Sequence, residues 1–140
     1  MRFLLDTCVL SESAKPQPDP AVVATLTRLA DDAAVISAIT VGEIRRGILL
    51  LPTGRRRAEV EAWEARVLDL FAGRILPLDG AVLQCWAALS VLRQRQGRPL
   101  LGNDGFIAAT AVRHGLTLVT RNVEDFRGLD LPLLDPWAAP

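Results

Sequence analysis

Two kinds of hydrophobic pattern alternate along the chain. Short, continuous apolar runs are typical of buried strands, and here they predict strands over residues 2–5, 33–37, 74–78 and 116–119 and an edge strand over 131–134. Between them, apolar residues recur at helical spacing, which predicts one helical turn over 11–14 and helices over 20–30, 40–51, 55–71, 81–96 and 104–114. Because strands joined through helices are parallel, we expect a three-layer α/β/α sandwich with a central, mostly parallel sheet.

The composition narrows the class of protein. The 140 residues are 50% hydrophobic and 23% charged, with a net charge of zero, which excludes a disordered chain and gives no overall attraction to nucleic acid. Two cysteines do not make a disulfide framework. Asp6 interrupts the apolar N-terminus, and no apolar run is long enough to cross a bilayer. We therefore expect a cytoplasmic protein, without membrane contact, that folds as a single domain over residues 1–140.

Polar residues stand near the ends of the predicted strands. Asp6 follows the first strand, Glu43 lies one turn into the helix after the second, Asp104 begins a helix, and Asn122 follows the fourth strand. In an open parallel sheet, ligands bind beyond the carboxyl ends of the strands. Taken singly, Asp6 and Asp104 could cap helices. Taken together, carboxylates at one edge would repel one another unless they are protonated or neutralised by a cation.

The residue types indicate which cation would suit this edge. Carboxylate and amide oxygens, completed by water, are typical ligands of Mg²⁺ or Mn²⁺. Zinc is disfavoured, because His114 is the only histidine and Cys8 and Cys85 are far apart in sequence. The pattern therefore predicts a Mg²⁺ site at the carboxyl edge of the sheet, in which Mn²⁺ can substitute.

Four motifs resemble those of PIN domains and occur in the same order. The first two are LLDTCVLSE, which contains Asp6, and SAITVGEIRRG, which contains Glu43; the third and fourth lie together in NDGFIAATAVRHGLTLVTRNVEDF. Their order and spacing are those of VapC-type toxins of bacterial toxin–antitoxin pairs, and FAGRILPLD and DPW resemble the FitB-like subgroup. The resemblance covers nearly the whole chain and implies a PIN-like fold.

The resemblance also implies a function for the protein. It implies a Mg²⁺-dependent endoribonuclease that hydrolyses RNA phosphodiester bonds and acts as the toxin of a type II toxin–antitoxin system. A cognate antitoxin protein would neutralise this toxin. The resemblance further implies a homodimer, and binding of promoter DNA only through the antitoxin.

The same resemblance implies roles for individual side chains. Asp6, Glu43 and Asp104 match the acidic positions of the family. We expect Asp6 and Asp104 to bind the metal directly and Glu43 to hold or deprotonate water. Asn122 matches a fourth position, which is Asp in many members, and would orient a metal-bound water, although Asp125 could supply the fourth carboxylate instead. The hydroxyls expected to line the site are those of Thr7 and Thr120.

An RNA substrate would also need positive charge near the site. The candidates are Arg121, beside the fourth motif, and Arg45 and Arg46 in the second. A further row of arginines at 55–57 is followed by Glu59 and Glu61, and this pattern is typical of a solvated helix face with local ion pairs.

Other classes of protein place an aspartate at a strand end. A phosphoacceptor receiver module would need a lysine late in the chain, but the only lysine is Lys15. A haloacid-dehalogenase-type phosphatase would need an aspartate two residues after Asp6, where Cys8 stands. The alternative that stays open is a catalytically weak PIN domain that binds RNA or a partner without cutting, because Asn122 lowers the charge of the site.

Overall fold

Five parallel strands form the central sheet of this computed structural model, which describes residues 2–29 and 33–138. They are β1 (Phe3–Leu5), β2 (Ala34–Ser37), β3 (Ile75–Leu76), β4 (Thr117–Val119) and β5 (Leu133–Leu134). Their order across the sheet is β3-β2-β1-β4-β5, and Phe3 of β1 lies opposite Ala34 of β2 and Thr117 of β4. The predicted parallel sheet is confirmed, and each strand is shorter than its predicted run.

Seven helices lie in the described residues. They are α1 (Thr7–Glu12), α2 (Pro20–Leu29), α3 (Ala38–Leu49), α4 (Arg55–Leu70), α5 (Gly80–Arg95), α6 (Asp104–His114) and α7 (Val123–Phe126). The five long predicted helices are confirmed to within two residues at their ends, and residue 30, the predicted end of α2, lies outside the described residues. The sequence pattern did not predict α7, which is too short to show a helical apolar period. No helix in the described chain is long and apolar enough to span a membrane.

Two helices begin earlier than their apolar pattern predicts, because the preceding side chain caps them. Asp6 caps α1 by accepting a hydrogen bond from the Thr7 amide (2.8 Å). The helix therefore begins at Thr7, and the predicted single turn over 11–14 is wrong. Ser37 caps α3 by accepting from the Ile39 amide (3.2 Å). In both places strand, cap and helix follow one another without a loop, which puts capping side chains at the carboxyl edge of the sheet.

Side chains of the central strands alternate between two hydrophobic cores. On one face, Leu5 and Ile36 pack with buried residues of the first four helices, among them Val9, Val22, Ile44, Ile48, Trp63 and Val67. On the other face, Leu4 and Val35 pack with buried residues that include Ile107, Ala108, Ala111 and Phe126. Helices thus cover both faces, and the predicted three-layer α/β/α sandwich is confirmed.

The strand order determines where a ligand site is expected. From β1 the neighbours on one side are β2 and then β3, and on the other side β4 and then β5. The order therefore reverses between β1 and β4, and the crevice beyond the carboxyl ends of two such strands is the usual ligand site of an open parallel sheet. Asp6 and Thr120 are the residues that directly follow these two strands.

Candidate active site

Asp6 is held across the crevice between β1 and β4. Thr120 Oγ1 donates a hydrogen bond to Asp6 Oδ2 (2.8 Å), and the Thr7 amide donates to Asp6 Oδ1 (2.8 Å). Burial raises the pKa of Asp6; hydrogen bonds from Thr120 and Thr7 oppose this shift, and the charge of Glu43 adds to it. Asp6 is therefore a helix cap and, at the same time, a buried and oriented carboxylate at the carboxyl edge.

Glu43 reaches the same edge through Thr7. Thr7 Oγ1 donates a hydrogen bond to Glu43 Oε1 (2.7 Å) and lies 3.1 Å from the buried hydroxyl of Thr40. These contacts join the first turn of α1 to α3. The two threonines that were expected to line the site, Thr7 and Thr120, thus each bind one of its predicted carboxylates.

Asp104, the first residue of α6, is surrounded by negative charge. Burial, followed by the carboxylates of Asp6, Asp125 and Glu43, raises the pKa of Asp104 from its ordinary 3.8 to about 6. No hydrogen bond within the described residues opposes this shift. Asp104 and Asp125 also line one cleft of about 80 Å³. The structure therefore brings four carboxylates into one region, three of which belong to the predicted acidic set.

An aromatic pair supports the first turn of α6. Trp86 of α5 stacks on Phe106, with ring centroids 5.3 Å apart. A Cβ atom added at Gly105 would lie 2.9 Å from the Trp86 ring, so any larger residue beside Asp104 would displace this ring or the helix turn. Trp86 therefore sets how closely this turn approaches α5, a role that the sequence pattern did not predict.

Asn122 and Asp125 are the two candidates for the fourth position, and both are exposed. The backbone N–H of Asn122 donates a hydrogen bond to Thr120 Oγ1 (3.1 Å), while the Asn122 side chain makes no capping hydrogen bond to α7. Asp125 lies on α7, and its charge acts on Asp104. The backbone of Asn122 is therefore tied to the site through Thr120, whereas Asp125 contributes a negative charge.

Cys8 lies among these groups as a neutral thiol. Its Sγ atom is 3.7 Å from Asp6 Oδ2 and 3.8 Å from Thr120 Oγ1. Burial, and then the charge of Asp6, raises the pKa of Cys8 to about 11. The thiolate that metal binding or nucleophilic attack would require is therefore scarce at neutral pH.

The donor set fits Mg²⁺ better than a metal that needs an all-protein cage. Among the described residues, no three acidic, histidine or cysteine side chains form a ready-made metal-binding group. Mg²⁺ usually keeps several waters and uses only one or two carboxylates, so Asp6 and Asp104 can meet its need. Burial raises the pKa of Asp104 most, and neighbouring carboxylates raise it further; a bound cation would relieve this repulsion.

Two of the predicted basic segments are engaged in ion pairs. Arg45 pairs with the buried Glu64 and lies 3.6 Å from Glu61, which joins α3 to α4. The row at 55–57 pairs with Glu59 and Glu61 at 3.2–3.8 Å, as expected of a solvated helix face. The charge of Arg45 is therefore largely compensated by the adjacent helix.

Arg121 has a different environment from Arg45. It is exposed beside Thr120, and its guanidinium lies 5.0 Å over the ring of Trp137. This cation–π contact orients the side chain without neutralising it. Arg46 is exposed on α3. Of the predicted RNA-binding residues, Arg121 is the one that directly follows a residue of the acidic site, Thr120.

The chain with this parallel sheet and acidic carboxyl edge matches the sequence profile of a known protein family. The sequence profile described as PIN domain matches residues 3–130. The chain therefore belongs to the PIN domain family, and the resemblance found in the sequence motifs is confirmed.

Two proteins and one solved structure illustrate what this chain is similar to. "Toxin FitB" of Neisseria gonorrhoeae is 42% identical over 136 residues, which are 96% of this chain and 98% of that protein. "VapC ribonuclease Y4jK" of Sinorhizobium fredii is 38% identical over 136 residues, 96% of this chain and 97% of that protein. A solved structure described as FitAB bound to an IR36 DNA fragment matches with a TM-score of 0.91 and 40% identity, covering 99% of this chain and 97% of that one. The similarity thus extends to the FitB-like subgroup.

Proposed function

We propose that this protein is a Mg²⁺-dependent endoribonuclease that acts as the toxin of a type II toxin–antitoxin system. The observation that carries the proposal is the convergence of Asp6, Glu43 and Asp104 at the carboxyl edge of the sheet. A chain that is 38% identical to a protein named a VapC ribonuclease makes RNA the substrate class to test first.

Each carboxylate receives a role from its surroundings. Asp6 and Asp104 would hold Mg²⁺, which when bound makes water more acidic and neutralises charge on a phosphate. Glu43 accepts from Thr7 through Oε1, which leaves its second oxygen to hold or deprotonate the attacking water. The Asn122 amide side chain would orient a water at the same edge.

The substrate phosphate would be bound by Arg121. Arg121 is exposed, directly follows Thr120 in the chain, and has its guanidinium packed over Trp137. Arg46 is exposed and would be a second contact for the phosphate. Arg45 is paired with Glu64 of α4 and would contribute by joining α3 to α4. Positive charge on one side of a carboxylate cluster lets an RNA phosphate approach although the net charge of the chain is zero.

The antitoxin would occupy an apolar groove lined by α1, α2 and α4. The groove has a volume of about 260 Å³ and is lined by residues that include Leu10, Val23, Leu26, Leu70 and Phe71. Val23 is 38% exposed and Leu70 52% exposed, so apolar surface is available to a partner helix. The matching solved structures are described as FitAB and VapBC assemblies, some with DNA, and we propose that this chain likewise reaches promoter DNA through its antitoxin.

We also propose that the chain is a single domain and forms a homodimer. Leu83 and Val91, about two turns apart on α5, are 40% and 46% exposed. Apolar side chains on one face of a long helix are typical of a subunit interface. Light scattering should give twice the mass of the chain, and Leu83→Glu with Val91→Glu should return it to the monomer value.

A cleavage assay tests the enzymatic proposal. Purified protein is incubated with RNA in Mg²⁺, in Mn²⁺ and in excess chelator. We expect cleavage with either metal, none with chelator, and none by Asp6→Asn; Asp69→Asn, which changes an exposed carboxylate on α4, should cleave like the wild type. Wild-type cleavage by Asp6→Asn would contradict the proposal.

The second candidate function is a weakly catalytic PIN domain that binds RNA or a partner. Asn122 favours it, since an amide at the fourth position gives the site less negative charge to hold a metal. Salt-dependent RNA binding by the wild type, without cleavage in either metal, would support this candidate over the enzyme.

A further inference from the structure

Arg93 of α5 is a buried arginine outside the set of residues that form the acidic site. Its side chain is 3% exposed, and no carboxylate in the described residues forms an ion pair with it. Burying a charge is costly unless hydrogen bonds replace the lost water. The contacts that compensate Arg93 must therefore come from other polar groups.

Those contacts are main-chain carbonyls of the segment that carries Asp125. Arg93 Nη1 donates to the carbonyl oxygens of Asp125 (3.1 Å) and Arg127 (3.4 Å), and Nε donates to that of Arg98 (2.8 Å). Arg98 in turn donates through Nη2 to the carbonyl of Glu124 (3.1 Å). Arg93 near the end of α5 and Arg98 just beyond this helix thus bind carbonyls of the α7 segment, where a positive charge is favourable.

The opposite side of the same segment faces the acidic site. Asp125 and Asp104 line one cleft, together with the loop residues Pro99, Leu100 and Leu101. The Asp125 carboxylate acts electrostatically on Asp104 on one side and on Arg93 on the other. Arg93 is therefore attached to the backbone of the residue whose side chain approaches Asp104.

We propose that Arg93 is a positioning residue that holds Asp125 beside Asp104 and so makes Asp125, rather than Asn122, the fourth carboxylate of the site. The inference rests on the proposed function, because it assigns Asp125 to the metal-binding edge. Asn122, in contrast, is tied to Thr120 by its backbone and brings no charge. An arginine is suited to this role, since the N–H donors of its planar guanidinium can bind several carbonyls at once, whereas the lysine ammonium is a compact point charge.

A double-mutant cycle on metal affinity distinguishes positioning from general structural support. Mn²⁺ is titrated calorimetrically into metal-free wild type, Arg93→Met, Asp125→Asn and the double variant. Loss of an outer partner of a metal site weakens affinity roughly ten- to hundredfold, and we expect a loss in this range for Arg93→Met. The double variant should be no weaker than Asp125→Asn, because the two residues act through one carboxylate.

The control for the cycle is Arg95→Met. Arg95 is exposed on the same helix and should leave Mn²⁺ affinity unchanged. The proposal is overturned if the losses from Arg93→Met and Asp125→Asn multiply in the double variant, or if Arg93→Met binds Mn²⁺ like the wild type. If Arg93→Met does not fold, Arg93→Lys replaces it, with an expected loss between those of wild type and Asp125→Asn.

Hydrogen exchange tests the positioning without any metal. In Arg93→Met, amides of 123–128 should exchange faster than in the wild type, while the amides of β1 and β4 exchange as before. Arg95→Met should match the wild type throughout. Unchanged exchange at 123–128 would overturn the positioning role even if Mn²⁺ binding fell. A wild type that binds no Mn²⁺ contradicts the proposed function instead, and the exchange result then still decides whether Arg93 holds Asp125.

Discussion

The carboxylate edge has two halves that are built differently. Asp6 and Glu43 each accept a hydrogen bond from a threonine hydroxyl, at 2.8 and 2.7 Å. Asp104 has no such donor in the described residues, and burial together with three neighbouring carboxylates raises its pKa to about 6. The half formed by Asp6 and Glu43 is therefore oriented by hydrogen bonds of the folded protein. The half formed by Asp104 is instead destabilised in its ionised form by burial and by like charge.

This difference indicates how the two halves would respond to a cation. Hydroxyl donors keep Asp6 and Glu43 in place whether or not a metal is bound, which reduces the cost of reorganisation on binding. Asp104 would gain most from a positive charge, because burial and then its neighbouring carboxylates disfavour its ionised form. The metal would thus complete a site of which the threonine half is already oriented.

The largest expected effect comes from neutralising the half formed by Asp104. Asp104→Asn should reduce RNA cleavage by at least about a hundredfold, in line with loss of an essential acid–base or ligand group. In metal-free buffer the same change should raise the melting temperature, because it removes a carboxylate crowded by others. Thermal unfolding and cleavage are measured together, with Asp69→Asn as the control that changes neither. A fall in melting temperature for Asp104→Asn would break the comparison.

A smaller effect, a loss of folding stability, is expected from a substitution beside Asp6 in the oriented half. Thr120→Val keeps the buried volume but removes the donor to Asp6 Oδ2. A buried hydrogen bond to a charged group contributes about 1.5–3 kcal/mol, and urea unfolding should show a loss of that order. Thr120→Ser retains a hydroxyl and should lose less. Equal stability of the valine and serine variants would mean that the hydroxyl does not hold Asp6.

The pH dependence of stability sharpens the comparison further. Folded Asp104 has a pKa of about 6 against 3.8 for its ordinary value, so between these values the folded state binds more protons than the unfolded state. Metal-free stability should therefore fall as pH rises from about 4 through 6, with the full penalty present above pH 6. Urea unfolding at several pH values measures the slope, and Asp104→Asn should make it shallower. A slope unaffected by the substitution would contradict the charge crowding.

The smallest effect is expected outside the carboxylates. Arg121→Gln should weaken RNA binding several-fold, and it should reduce the slope of log affinity against log salt by about 1, the change expected for one lost phosphate contact. The matched control is Arg66→Gln, an exposed arginine on α4. An unchanged salt slope in Arg121→Gln would show that this guanidinium does not contact phosphate.

Most of the fold could be predicted, because its signals are local. The apolar runs of the strands and the helical spacing of α2 to α6 follow directly from the hydrophobic pattern, and the capping side chains stand next to the strands they follow. The start of α1 was missed because its six residues are too few to show a helical apolar period, although Asp6 had the residue type of a helix cap. The four residues of α7 span barely one turn and carry no periodic signal.

The candidate site was predictable only in part, because only some of its residues give a local signal in the sequence. Asp6 follows a strand, Asp104 begins a helix and Glu43 lies within the helix after the second strand, so their types and positions identify them in the sequence. Arg93 stands within an otherwise ordinary helix, and its partners Asp125 and Arg127 lie 32 and 34 residues further along the chain. Contacts over that separation depend on the folded arrangement of α5 and α7 and leave no local pattern.

The central claim is that Asp6 and Asp104 together hold a hard dication at the carboxyl edge. Calorimetric titration of Mg²⁺ into metal-free wild type and Asp104→Asn tests it most directly, with Asp69→Asn as the control. The account predicts saturable binding to the wild type and to the control, and at least about tenfold weaker binding to Asp104→Asn. Equal Mg²⁺ affinity for wild type and Asp104→Asn would contradict it.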